Sequence, residues 1–255
     1  MDRNDKQEQR SSLIDHPGLT VLMPHLRRYL HKGLAELRSS GTTFPTTAAE
    51  TYAAGVAERV SELDNALQAL RLTLDFVMAL VNQPSPNPDV YSYHYENFVL
   101  RVIGFVDRAH RLVGAALLLD KAKFESVGGN KFVQAQVKTE HPDIHAALLG
   151  VMNTVENYRG PRNELIHSAA FSSREIGLFR SIRQFRVGTE GVDIDALERR
   201  HYAEGSEEIT LTITRLVKAL TTLLDCLASR FIIISTENDQ AIPKKRSDHE
   251  GAGQA

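Results

Sequence analysis

The chain contains no tryptophan, one cysteine (Cys226) and four methionines in 255 residues. A single thiol excludes an intramolecular disulfide and a cysteine-built zinc cage, and it fits a reducing compartment. No apolar run approaches the roughly 20 residues that a membrane-spanning helix needs. The N-terminus, M-D-R-N-D-K-Q-E-Q-R, lacks the apolar core of a secretory signal. The expected location is therefore the cytoplasm, with no membrane partner. Net charge is also scarce: 30 Lys and Arg oppose 32 Asp and Glu, a formal balance of −2. A global basic field that would hold nucleic acid indiscriminately is thus excluded, and any RNA contact must come from a local cluster. The sequence shows no internal repeat, glycine-rich phosphate loop, H-E-x-x-H metal pair or nucleophile elbow.

What the chain does have is apolar residues at helical spacing, 42% of the total, enough for one sizeable core. Leu22, Leu26, Tyr29 or Leu30, Leu34 and Leu37 trace a first helix that ends at Ser39-Ser40-Gly41. Thr47 and Glu50 have the spacing of a capping box. The longest seam follows: Tyr52, Val56, Val60, Leu63, Leu67, Leu70, Leu74, Met78 and Val81, stepping by three and four. Residues 83–89, Q-P-S-P-N-P-D, cannot be helical and form a rigid connector. Tyr91, Tyr93 and Tyr95 then alternate, either as an amphipathic entry to a helix or as rings able to stack bases. A long helix carries Phe98 to Leu117, with Asp107 and Arg111 spaced to pair at i,i+4.

Residues 121–142 read as a polar loop with room for a short helix. Asp143 can cap the next helix, whose seam is Ile144, Leu148, Val151, Val155 and Tyr158. Segment 171–188 fits either a short helix or an irregular hairpin. Residues 189–205 read as loop plus a short turn, and Ser206 starts a final helix with Ile209, Ile213, Leu216, Leu220, Leu223 and Leu227 on one stripe. The expected fold is all-α: an antiparallel helical bundle spanning 18–234, with 18–41 as a peripheral N-terminal helix. Residues 1–17 are expected to be a disordered leader and 235–255 a disordered tail.

The seam from Ile144, continued by its own steps, reaches Arg162 and then Leu165, so a permanent charge falls on a line otherwise given to packing. A buried unpaired guanidinium is costly; Arg162 should therefore have a carboxylate partner, face a wet cleft, or lie at a subunit junction. Gly160-Pro161 leaves two geometries open. Either a kinked helix continues through it, or Pro161 is the first residue of a new helix. Residues 158–168 read Y-R-G-P-R-N-E-L-I-H-S. Arginine is a fixed phosphate clamp, and histidine exchanges protons near neutrality, which suits it to the 2′-hydroxyl and 5′-oxygen of an RNA linkage. Asn163 and His167 share a helix face, whereas Arg162 lies about 140° around from His167. Two such helices crossing at a twofold axis would bring the groups together.

This stretch resembles the HEPN superfamily, helical proteins with an Arg-polar-x3-5-His signature, matched here by Arg162, Asn163 and His167. Arg10 and His16 share the spacing but lie in a polar segment before Pro17. The resemblance implies a metal-independent endoribonuclease that needs no cofactor and works as a homodimer on RNA. Such proteins are often toxins or defence effectors, restrained by an antitoxin or other regulatory protein. Arg162, Asn163 and His167 are the implied catalytic residues. The basic stretch beside them supplies candidate backbone contacts at Arg159, Arg174, Arg180, Arg183 and Arg186. The alternative is a helical interaction or RNA-binding module of the same fold without turnover, in which Arg162 pairs structurally with Glu156, Glu164 or a remote acid.

Overall fold

The computed structural model describes residues 12–167 and 173–237, and among these the chain is all-α, with no strand. Helix α2, Ala48–Val81, begins where its cap dictates. The Thr47 hydroxyl accepts from the Glu50 amide at 3.1 Å, and the Glu50 carboxylate accepts from the Thr47 amide at 3.0 Å. That reciprocal pair satisfies two amides that have no partner inside the helix. Tyr52, Val56, Val60, Leu63, Leu67 and Leu70 are buried as their spacing requires. Beyond Leu70 the buried line runs through Thr73, Val77 and Leu80, while Met78 faces solvent. A straight helix turns past a strict seven-residue repeat, and the neighbouring helices follow the turn.

The proline connector separates α2 from α3, Pro88–Val102, whose first turn is capped by the Asn87 side chain. Helix α4, Gly104–Ala116, follows after Ile103 alone, so the expected single long helix is broken there. The polar stretch beyond it holds α5, Lys121–Phe124, and α6, Gly129–Glu140. Helix α7, Pro142–Val155, starts on a proline rather than on an Asp143 cap. Helices α9, Arg174–Phe185, and α10, Ile194–Glu237, complete the bundle.

α2 and α10 form the central pair, with α7 against α10 and α4 against both α2 and α7. At 44 residues α10 is about 66 Å long. It starts twelve residues before Ser206 (206 − 194), which corrects the loop expected over 189–205. Gly205, within that expected loop, sits inside the helix. A Cβ there would lie 2.1 Å from the Tyr91 hydroxyl, so the missing side chain is what lets α3 approach α10. Helix α9 likewise removes the hairpin alternative for the residues from Arg174.

The N-terminal boundary shifts too. Residues 12–17 belong to the folded unit, because Leu13 is buried and Asp64 accepts from the Leu13 and Ile14 amides at 2.8 and 3.0 Å. His16 caps the 3-10 turn Pro17–Leu22 by accepting from the Gly18 amide, so its role is structural. Helix α1, Met23–Arg38, is peripheral. No residue of it is buried, and Leu30, Leu34 and Leu37 are exposed rather than packed. The expected disorder of 1–11 and 238–255 lies outside the described residues.

Candidate functional site

The seam of α7 ends at Tyr158. There a 3-10 turn, Glu156–Tyr158, leads into α8, Arg159–His167. Both geometries left open by the sequence are partly realised: the chain stays helical throughout, yet a new α-helix starts two residues before Pro161. In the first turn a proline removes no internal hydrogen bond, so it costs nothing there.

The Tyr158 hydroxyl fixes this junction. It donates to Glu208 Oε1 at 2.8 Å and lies 2.8 Å from the Thr212 hydroxyl, both on α10. The other oxygen of Glu208 accepts from Tyr95 of α3 at 2.9 Å. Burial, followed by these contacts with Glu208, raises the pKa of Tyr95, and burial does the same for Tyr158, so both phenols stay protonated. Phe98 meets the Tyr158 ring edge-on at 5.1 Å. These tyrosine contacts with α10 were not read from the sequence; the recurrence of Tyr91, Tyr95 and Tyr158 on apolar seams was the available signal.

Helix α8 has no buried residue. Leu165 packs against the core, while Asn163, Ile166 and His167 are exposed and Arg162 is half-buried. Arg162 Nη1 donates to the Asn163 side-chain oxygen at 3.3 Å, so the amide faces the arginine rather than the imidazole. Among the described residues no carboxylate pairs with Arg162. Glu156 is taken by Arg159 at 3.1 Å. Of the three environments set out for Arg162, the two that remain among the described residues are a wet face and a subunit junction.

The flanking arginines divide into two groups. Arg174 and Arg186 are exposed, and Arg159 keeps an exposed i,i+3 pair of little energetic weight. Arg180 and Arg183 are engaged elsewhere. Arg180 pairs with Asp89 at 2.7 Å. Arg183 donates to both oxygens of Glu198 at 2.9 and 2.7 Å, to Asp195 at 2.6 Å and to the Pro86 carbonyl at 3.2 Å. Its pKa is pushed up, first by the hydrogen bonds to Glu198 and then by those to Asp195. Two carboxylates neutralise this guanidinium, which therefore holds α9 and the connector to α10.

Among the described residues no three His, Cys, Asp or Glu side chains gather as metal ligands, and no helix is long and apolar enough to cross a membrane. No curated protein and no solved structure matches the chain. One family model does, that of the Cthe2314-like HEPN domain, over residues 28–234.

Proposed function

The chain belongs to the HEPN superfamily, and on that premise we propose that it is an RNA-cleaving enzyme acting through Arg162, Asn163 and His167 in a composite site between two copies. The observation that carries this reading is the state of Arg162 on α8: half-buried, bonded to Asn163, and without a carboxylate among the described residues. A structural arginine of that exposure would ordinarily be paired. On one helix the guanidinium and the imidazole point about 140° apart, so one copy cannot close both on the same phosphate. A second α8 crossing the first would do so, and Ile166, 48% exposed between them in sequence, offers an apolar contact for that crossing.

In such a site one His167 takes the 2′-hydroxyl proton as O2′ attacks phosphorus. The P–O5′ bond breaks, and the leaving oxygen takes a proton from water. Arg162 carries the added charge on the phosphoryl oxygens, and Asn163 holds the guanidinium in place. The product is a 2′,3′-cyclic phosphate, and no metal enters the step. A toxin or defence role restrained by a regulatory protein is the cellular setting proposed with it.

The test is incubation of the purified full chain and of His167→Ala with a mixed RNA pool, with and without EDTA. The expected result is EDTA-resistant cleavage leaving cyclic phosphate ends, reduced about 100-fold or more in the variant. Equal cleavage by the variant, or none by either protein, rejects the assignment in favour of a non-catalytic module.

A further inference from the structure

Far round α3 from this helix, the chain builds a second groove suited to a polyanion. Helix α2 forms one wall, and α3 with the start of α4 forms the other. At one end a cleft of about 430 Å³ is lined by Arg101, Arg108 and Arg111. At the other, a cleft of about 300 Å³ is lined by Phe76, Tyr93 and His94. The two share Ala69 and Arg101, so they adjoin along the same helix walls.

The cationic end is short of partners. Arg101 Nε donates to the Asn97 side chain at 2.6 Å, and its terminal nitrogens make no ion pair among the described residues. Arg108 and Arg111 make no hydrogen bond or ion pair among the described residues. The acids facing them are already engaged: Glu62 accepts from Arg59 at 2.7 Å, and Asp107 accepts from Asn130 at 2.5 Å rather than from Arg111. Arg108 lies flat over Gly104, where a Cβ would come within 2.4 Å of Nη1, so a side chain at 104 would displace it.

The aromatic end is open. Tyr93 is 67% exposed and Phe76 47%, against the inward-facing Tyr91. Phe76 and His94 stack at 4.6 Å and 12°, presenting a flat double ring, and Tyr93 stands edge-on to His94 at 5.2 Å. Burial lowers the His94 pKa, so at neutral pH this ring is an uncharged surface.

We propose that the α2–α3 groove is a docking track for single-stranded RNA, with phosphates on Arg101, Arg108 and Arg111 and bases against Tyr93 and the Phe76–His94 stack. Guanidinium groups that form no ion pair among the described residues, beside exposed rings in the same groove, are the two things a flexible strand needs, and neither reads sequence. From Ala66 to Phe76 the α2 wall runs about 15 Å, the length of roughly four stacked nucleotides. The choice of RNA over DNA rests on the ribonuclease reading; the groove's chemistry does not.

Fluorescence anisotropy with a labelled 2′-O-methyl oligouridylate tests this on the full chain, because that strand keeps phosphates and bases but has no hydroxyl to attack. Expected are salt-sensitive binding, a loss of roughly tenfold or more in Arg108→Gln/Arg111→Gln and in Tyr93→Ala, and near-native affinity in Tyr93→Phe. Circular dichroism melts establish that each variant is folded. Unchanged affinity in the arginine or the Tyr93→Ala variants overturns the track. So does uridine monophosphate displacing the strand at equal concentration, which makes the groove a mononucleotide site. Groove-dependent binding without RNA cleavage keeps the track and rejects the nuclease. Cleavage with groove variants indistinguishable from wild type does the reverse.

Discussion

Arg183 grips Glu198 through two hydrogen bonds, although Glu198 is 0% exposed and its partner reaches solvent. The pair ties α9 to the first turns of α10, and Arg183 also holds the connector through Pro86. Replacing Arg183 by Met keeps most of the packing but leaves a buried carboxylate facing only water and Asp195. We expect Arg183→Met to lower stability by about 2 kcal/mol, less than a fully buried pair because the guanidinium is partly solvated. Urea unfolding measures it; a midpoint unchanged from wild type would show that the ion pair has no net weight.

Gly205 sets two effects against each other. Alanine is the better helix former by about 1 kcal/mol. Its methyl, however, would meet the hydroxyl of Tyr91, whose ring is stacked on Tyr202 at 4.3 Å and cannot swing aside freely. Overpacking of this kind costs about 1–3 kcal/mol. Gly205→Ala should therefore destabilise the protein, and Gly205→Ala with Tyr91→Phe should recover part of the loss in the same melt.

Acid sensitivity follows from Glu50, 2% exposed at the α1–α2 junction. Burial by itself would raise its pKa, but the Lys32 ammonium at 2.7 Å, the Thr47 amide and the Arg28 charge outweigh burial and lower it. A carboxyl with a depressed folded pKa binds more protons when unfolded, so its contribution is whole above the ordinary value near 4.5 and is lost as pH falls through the folded value. His110, buried and lowered chiefly by desolvation, also weakens the fold in acid, but from the ordinary histidine value of 6.5 downward. Glu50→Gln should flatten the melting temperature only in the lower window. An identical acid limb in wild type and variant would contradict this.

The composite site predicts complementation. If Arg162 of one copy works with His167 of the other, a mixed dimer of Arg162→Ala and His167→Ala has one complete site and one empty one. After subunit exchange the mixture should regain about a quarter of wild-type cleavage, since about half the dimers are mixed and each holds one site of two. Mixing that restores nothing would place both groups in one copy.

The sequence made local features legible and long-range ones not. The start of α2, the proline connector and the line Ile144 to Tyr158 follow from caps, missing amides and spacing, which act within a few residues. Arg180 and Arg183 looked free because their own stretch contains one acid, Glu175. Their partners Asp89, Asp195 and Glu198 come from α3 and α10. The first turns of α10 read as loop, and the ring that fills the space beside Gly205 lies 114 positions earlier (205 − 91). Leu30, Leu34 and Leu37 have helical spacing, and periodicity alone cannot say whether a stripe finds a neighbour. The proposed trio was read from its residue types and spacing. The absence of a carboxylate on Arg162 among the described residues emerged only in three dimensions.

Helices α8 and α9 are separate in sequence, yet each is anchored on the same rod: the turn before α8 at Glu208, and α9 at Glu198. Ten residues of continuous helix, about 15 Å, therefore set the gauge between those two anchors.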